Sequence, residues 1–244
     1  MSKVVLLNNV DHHDLKVVTR RSAEFGDNVN QVLIFPTEFG EIQREYPIFL
    51  RKDASGEFQS VALLGLDKDE NLFLDENGWR ARYIPAVQER GPFSIGLQRQ
   101  ERDGESRSEP MILVDLDHPR VRRGGEVGEA VFLRHGGNSP YLERVAGVLQ
   151  AIHQGVEISK PMFAAFDEAG LIEPVAVEIA LSDREKHTLP NYHTISDERL
   201  LGLDGARLEQ LNKAGFLRAA FYILASLGNV SRLIDLKNRK RAIG

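Results

Sequence analysis

The sequence contains no cysteine, and this absence excludes several kinds of site. A chain without thiols forms no disulfide bond, no thiolate metal centre and no cysteine nucleophile. The absence also fits a reducing compartment, so we expect a cytoplasmic protein. The N-terminal apolar stretch, Val4 to Leu7, is shorter than the roughly 7–15 residues of a signal-peptide core, which agrees with that expectation.

Excess positive charge is also missing. The formal net charge is −5, whereas a general nucleic-acid binder needs a basic surface that displaces counterions from phosphates. We therefore expect no nucleic-acid partner. A basic run does stand near the C-terminus, and we interpret it as a solvated tail that complements the helix dipole. It consists of Lys237, Arg239, Lys240 and Arg241.

Long apolar runs are absent as well. The most apolar region, Phe216 to Leu227, is interrupted by Arg218 and Ser226. It falls short of the ~20 residues that a helix needs to cross a bilayer. We therefore expect no membrane insertion.

The 244 residues, 42% of them apolar, predict one domain with two sublobes, 1–131 and 132–244. In the first sublobe, short runs of β-formers alternate with turn formers. The predicted strands are Val4–Leu7, Leu15–Thr19, Val32–Phe35, Ile48–Arg51, Phe58–Leu64, Phe93–Leu97 and Met111–Val114. A short helix is predicted after Pro36, because Phe39, Ile42 and Tyr46 share one helical face. The polar stretch Arg99–Pro110 is predicted to be a surface loop.

The second sublobe is predicted to be mainly helical. Ser139 is placed to cap a helix that Gly155 ends, and a second helix follows from about Ser159 to Ala169. Alternating apolar residues between 175 and 192 then predict a hairpin that turns at Ser182–Lys186. From Ser196 onward an apolar stripe predicts further helices, with Gly215 and Gly228 as weak points. The stripe runs through Leu208, Leu211, Leu217, Phe221, Leu224 and Leu227.

These patterns predict an α+β fold. A β-rich, mostly antiparallel N-terminal lobe would pack with a helical C-terminal lobe that contains a small hairpin. The apolar stripe of the C-terminal helices is expected to pack on the protein's own sheet, and a homodimer formed through these helices is the alternative.

The histidines give little support for a metal site. His12 and His13 are adjacent, so in a strand they would point to opposite faces. His187 and His193 could share a face of the hairpin, but no Asp or Glu lies between them. We interpret His187 and His193 as surface histidines, and we expect no metal and no cofactor.

Other polar motifs are also better explained by local structure. His135–Gly137 and the glycine-rich segment 122–128 match no phosphate-binding or nucleophile motif and are predicted to be turns. Ser139 is predicted to be a helix cap. The pair Asp115 and Asp117 could hold a hard cation, yet such pairs are common at strand ends without a metal.

The strongest site candidate is a cluster of aromatic and arginine residues. Aromatic faces beside guanidinium groups can stack on a ligand and donate hydrogen bonds to it. The candidate binding residues are Tyr46, Arg51, Trp79, Arg82, Tyr83 and Arg90. The alternative is that the aromatic rings form core, since Trp79 and Tyr83 at i and i+4 could simply pack together.

Several sequence blocks resemble the SapC family of bacterial proteins, and they extend over nearly the whole chain. The resemblance rests on FPTEFGEIQREYPIFLRKD (35–53), VALLGLDKDENLFLDENGWRARYIPA (61–86), RGPFSIG (90–96) and LVDLDHPRV (113–121). A late block, ISDERL followed by LNKAGFLRAAFYILASLGNVSRLI, completes it. The order of these blocks is the one expected for the family.

The resemblance implies a biological setting more than a chemistry. The family is associated with surface-layer protein secretion, and relatives occur beside TonB-dependent receptors. It is distinct from the peptide-transport permease of the same name, and it carries over no catalytic residue. The implied function is a cytoplasmic accessory protein that recognises a protein or peptide partner. An enzyme acting on an aromatic amino acid or peptide, and a dimeric scaffold, are the alternatives.

Overall fold

The computed structural model describes residues 3–102, 105–182 and 185–243. Its strands are β1 (Val4–Leu6), β2 (Leu15–Val17), β3 (Gln31–Ile34), β4 (Ile48–Lys52), β5 (Phe58–Leu63), β6 (Leu74–Asp75), β7 (Gly78–Trp79), β8 (Phe93–Arg102), β9 (Glu105–Asp115), β10 (Val121–Arg123), β11 (Glu129–Ala130), β12 (Ile172–Ser182) and β13 (Glu185–Ile195). Its α-helices are α1 (Phe39–Ile42), α2 (Ala86–Glu89), α3 (Pro140–Glu168), α4 (Asp197–Leu201), α5 (Gly205–Lys213), α6 (Phe216–Ser226) and α7 (Asn229–Ile243). Single 3₁₀ turns lie at Ala23–Phe25 and Pro36–Glu38.

The largest sheet has five strands in the order β12-β13-β4-β5-β3, and every neighbouring pair is antiparallel. The pairing of His193 with Leu50 joins the C-terminal hairpin to the N-terminal strands. The predicted α+β class with mostly antiparallel sheets is therefore confirmed. The hairpin is also confirmed, although residues 183 and 184 at its predicted turn lie outside the described residues.

The predicted surface loop at Arg99–Pro110 is wrong for the part that the structure describes. Strands β8 and β9 continue through it as a hairpin, with Arg99 opposite Ser108 and Leu97 opposite Pro110. Backbone pairing requires no apolar side chains, so a polar stretch can extend a hairpin once its base is paired. Residues 103 and 104 lie outside the described residues.

Helix α3 is one continuous helix of 29 residues, and the prediction that Gly155 ends it is wrong. Its start is as predicted, because Ser139 Oγ accepts a hydrogen bond from Leu142 N at 3.2 Å. Gly155 is instead a point of close approach: a Cβ added there would lie 2.4 Å from the Cβ of Phe35. The helix ends before Gly170, whose φ of +64° suits a glycine stop.

The two halves of α3 belong to two different apolar cores. Its first half contributes Val145 and Leu149 to a smaller core with strands β2, β8 and β9. Its second half contributes Phe163 and Phe166 to the larger core of the five-stranded sheet and the C-terminal helices. The contact between Gly155 and Phe35 therefore fixes the position of the helix where it passes from one core to the other.

The C-terminal helices follow the predicted breaks, but the basic run is only partly a tail. Gly215, with φ of +77°, separates α5 from α6. Lys237 is 6% exposed and forms ion pairs with Asp67 and with Glu70, the latter at 2.7 Å. The interpretation of Lys237 as solvated is wrong, because its carboxylate partners are distant in sequence.

By length and composition alone, one stretch of the described residues, Phe216–Ala242, is apolar enough to cross a bilayer. Such stretches also occur as packed helices of globular cores. Here the stretch is divided between α6 and α7, and Arg232 and Lys237 within it pair with Glu45 and with carboxylates after β5. The absence of membrane insertion stays a prediction.

The close approach at Gly155 generates a test. We expect Gly155→Ala to lower the free energy of unfolding by about 1–3 kcal/mol, because the added methyl group would overlap Phe35. The matched control is Gly147→Ala in the same helix, where an added Cβ meets no atom within 4 Å. That control should stabilise the protein by about 0.5–1 kcal/mol. Urea unfolding measures both, and equal effects would contradict the packing argument.

Candidate functional site

The three predicted aromatic residues do meet, and they form a hydrogen-bonded cluster. Trp79 Nε1 donates to Tyr46 Oη at 2.7 Å, and Tyr46 Oη donates to the Tyr83 carbonyl at 2.5 Å. Tyr46 is fully buried, with its ring centroid 4.6 Å from that of Phe73, while Trp79 and Tyr83 are half-buried. Trp79 lies in β7 and Tyr83 in the irregular segment after it, so their contact runs through Tyr46 and not along a helix.

A buried carboxylate completes this cluster. Tyr83 Oη donates to Glu38 Oε2 at 3.0 Å, Ala86 N donates to the same oxygen at 2.9 Å, and Phe35 N donates to Oε1 at 3.1 Å. Burial raises the pKa of Glu38 above its usual value, although all three hydrogen bonds act in the opposite direction. Burial likewise raises the pKa of Tyr83, and the nearby Glu38 charge adds to that effect.

A second glutamate connects the cluster to the C-terminal helix. Glu45 Oε2 accepts from the backbone N of Arg82 at 2.7 Å and from that of Tyr83 at 3.2 Å. Its other oxygen lies 3.4 Å from the Arg232 guanidinium of α7. These hydrogen bonds all join parts of the protein to one another, which is the arrangement expected of a structural element.

The predicted arginines do not join the aromatic cluster. Arg51 lies on β4, and Arg82 is exposed and contributes only its backbone N to the contacts above. Arg90 Nη1 donates to the Phe93 carbonyl at 2.6 Å, and burial lowers its pKa. A role of these residues in binding stays a prediction.

A groove that the sequence did not reveal lies between the five-stranded sheet and the second half of α3. Its volume is about 620 Å³, within the range of roughly 300–1,000 Å³ usual for ligand sites. The sheet side is formed by the end of β3, by β5 and by the turn between β4 and β5. Helix α3 forms the other side with Val156, Ser159, Lys160, Phe163, Ala164 and Asp167.

The strand register places a buried hydroxyl on the floor of this groove. Ser60 is paired with Leu50 on one side and with Ile34 on the other, so these side chains share one face of the sheet. Ser60 is 3% exposed, and its Oγ has no hydrogen-bond partner among the described residues. A buried hydroxyl without a partner is uncommon, and its position in a groove is suited to a ligand atom or a bound water.

The wall of the groove is aromatic and its rim is charged. Phe58 and Phe163 face each other with ring centroids 5.9 Å apart, and Lys52 Nζ lies 5.0 Å from the Phe58 centroid. At the rim, Lys160 Nζ of α3 lies 3.6 Å from Glu57 Oε1 of the β4–β5 turn. Aromatic and aliphatic surface combined with a few polar groups is the usual composition of a binding site.

The groove does not assemble a nucleophile and a base. His193 is half-buried beside Phe58, with ring centroids 5.2 Å apart, and burial together with the Lys52 charge lowers its pKa. Leu50 lies between His193 and Ser60 in the sheet, so their backbones are roughly 10 Å apart. Ser60 Oγ and His193 Nδ1 are both buried, and neither has a hydrogen-bond partner among the described residues, so these two atoms do not form a nucleophile–base pair.

The remaining sequence candidates have local roles or lie apart. His12 is buried with Nδ1 3.1 Å from the Asn8 carbonyl, and Asp115 Oδ1 accepts from Asp117 N at 3.1 Å. The glycines at 124, 125, 128, 136 and 137 all have positive φ, which confirms the predicted turns. The side chain of His187 lies outside the described part of the chain. Within that part, no group of three or more His, Asp or Glu side chains is placed to hold a metal ion.

The fold and the site together define an α+β protein with a groove of aromatic and polar side chains. A separate buried cluster of hydrogen-bonded side chains holds the connecting segments of the chain in place. A comparison with family models gives the family described as SapC, which matches residues 7–233. The chain belongs to the SapC family, as its sequence blocks predicted. Comparisons with curated proteins and with solved structures give no match.

The buried Glu38 generates a pH test. Its pKa is raised in the folded protein, so the unfolded chain releases this proton at lower pH. The free energy of unfolding contributed by Glu38 therefore falls as pH rises from the usual carboxyl range through the raised pKa. In Glu38→Gln this fall should disappear, whereas the exposed Glu76→Gln should follow the parent protein. Urea unfolding at several pH values measures it, and identical pH profiles for Glu38→Gln and the parent would contradict the assignment.

Two buried serines generate a second test. Ser226 Oγ donates to the Ile223 carbonyl at 2.6 Å and accepts from Ile48 N at 2.8 Å, so Ser226→Ala should cost about 1–3 kcal/mol. Ser60 Oγ has no such partner, so Ser60→Ala should leave the free energy of unfolding unchanged or higher. Urea unfolding compares the two. A large loss of stability in Ser60→Ala would show that this hydroxyl serves the fold.

Proposed function

We propose that this SapC-family protein is a non-catalytic recognition protein that binds a segment of a protein or peptide partner in the groove between β5 and α3. The observation that carries the proposal is the unpartnered Ser60 hydroxyl on the floor of an aromatic groove. A protein fold normally satisfies its own buried polar groups, so a group left unsatisfied at the base of a groove favours an external partner.

The composition of the groove supports recognition over catalysis. Phe58 and Phe163 offer an apolar surface for an anchor side chain, and Ser60 offers one hydrogen bond that fixes its position. Buried aromatic surface around a few polar groups is typical of the centres of interfaces that dominate binding energy. Among the described residues no base is hydrogen-bonded to Ser60 Oγ, which supports recognition over catalysis by this hydroxyl.

The proposed biological setting of the partner rests on what the sequence resemblance to the SapC family implies. The proposal places the protein in the cytoplasm, in an accessory role linked to surface-layer export or to TonB-dependent uptake. The enzyme and the dimeric scaffold remain the competing hypotheses. The exposed Phe221 of α6, 49% accessible, is the feature that favours a scaffold.

A groove-filling variant tests the proposal. A phage-displayed library of random linear peptides is selected on the full-length protein, and the enriched peptides are measured on Ala164→Trp. Ala164 is exposed on α3 and lines the groove, so the indole should fill it and weaken binding by at least about tenfold. Fluorescence anisotropy with synthetic copies of the enriched peptides gives the dissociation constants.

The matched control is Ala206→Trp, an exposed position on α5 away from the groove. It should bind the peptides as the parent does, and both variants should keep the free energy of unfolding within about 0.5 kcal/mol. Failure to enrich any peptide, or equal binding to Ala164→Trp and the parent, would overturn the proposed function.

A further inference from the structure

The groove contains an unpaired stretch of sheet edge, and the strand register shows why. In the pairing of β3 with β5, the Asn30 carbonyl accepts from Leu64 N at 2.7 Å. Alternate residues of an antiparallel pair exchange hydrogen bonds, so the residues of β5 that bond towards β3 are Leu64, Ala62 and Ser60. The next residue in this series is Phe58, and its partner in register would be Pro36.

Pro36 cannot take that place. Proline has no backbone N–H, and here it begins the 3₁₀ turn that carries the chain away from the sheet. The last pair of the β3–β5 ladder is therefore Ile34 with Ser60. Beyond it, β5 continues through Phe58 with a neighbour on the β4 side only.

The pairing of β5 with β4 shows in which direction the backbone N–H and C=O groups of Phe58 point. Asp53 N donates to the Glu57 carbonyl at 2.9 Å, and Leu63 N donates to the Pro47 carbonyl at 3.1 Å. The odd-numbered residues of β5 therefore bond towards β4, and the even-numbered ones bond away from it. The N–H and C=O of Phe58 consequently point to the side that β3 has left, where the groove lies.

We propose that the groove binds its partner as an extended strand, in which one residue pairs antiparallel with Phe58 in the place that β3 vacates. This inference rests on the proposed function and adds the class of ligand: a main-chain segment in β conformation. Antiparallel pairing satisfies both free groups of Phe58 with a single residue of the partner. A partner strand added to a sheet edge is an established mode of peptide recognition.

The same register predicts which side chain of the partner is the anchor. Directly paired residues place their side chains on the same face of a sheet, so the residue opposite Phe58 points its side chain towards α3. There it would meet Phe58, Phe163 and the Ser60 hydroxyl. The anchor residue thus supplies both the apolar contact and the two main-chain hydrogen bonds, whereas its immediate neighbours point their N–H groups away from β5.

N-methylation of the peptide main chain tests this inference. Synthetic copies of one peptide enriched on the full-length protein, each N-methylated at a single position, are measured by fluorescence anisotropy. Methylation of the anchor residue should weaken binding by at least about tenfold, because it removes the N–H that bonds to the Phe58 carbonyl. Methylation of either immediate neighbour should change the dissociation constant much less, because the N–H groups of those residues point away from β5.

The outcomes separate the two proposals. If Ala164→Trp blocks the peptide but no single N-methylation weakens it, or if sensitivity shows a helical period, strand addition is overturned and groove recognition stands. If Ala164→Trp does not block the peptide, the proposed function itself fails. A methylation effect limited to the anchor residue, together with loss of binding in Ala164→Trp, would support both.

Discussion

The approach of α3 to the sheet at Gly155 is the contact on which the rest of the structure depends. Because that residue has no side chain, the helix can rest on Phe35 and still continue without a break. A single helix then supplies one half of its length to each of the two apolar cores. Beyond the contact the helix remains over the sheet, and the space left between them is the groove. A bulkier residue at this point would have to displace the helix, and the groove would change with it.

The aromatic cluster and the groove differ in how far their polar groups are satisfied within the protein. Tyr46, Trp79 and Tyr83 hydrogen-bond to one another and to Glu38, and Glu45 extends the cluster to Arg232 of α7. Each bond ties a segment with little regular structure to the main core. Such a cluster is suited to holding long connections in place, because most of its polar groups are satisfied internally. The groove has the opposite property, since the Ser60 hydroxyl has no hydrogen-bond partner among the described residues and the β3–β5 pairing ends before it reaches Phe58.

Sequence patterns predicted the elements well wherever the pattern was local. Most predicted strands, the cap at Ser139 and the stop at Gly170 depend on residues a few positions apart. The predictions for Arg99–Pro110, Gly155 and Lys237 were wrong because each depends on a partner elsewhere in the chain. The polar stretch Arg99–Pro110 belongs to a hairpin because β8 pairs with β9. Gly155 permits a close contact with Phe35, and Lys237 forms an ion pair with Glu70 after β5.

By itself the sequence determined the α+β class, the SapC family and the absence of thiol chemistry, since these follow from composition and from the order of its blocks. It also predicted that the strand Val32–Phe35 stops at Pro36, where a short helix begins. Only the tertiary structure decided that this stop faces α3, and that Phe58 and Ser60 are left with unpaired groups in the same groove. Whether a polar group has a hydrogen-bond partner depends on which strands and helices pack around it, and local sequence patterns do not specify those distant contacts.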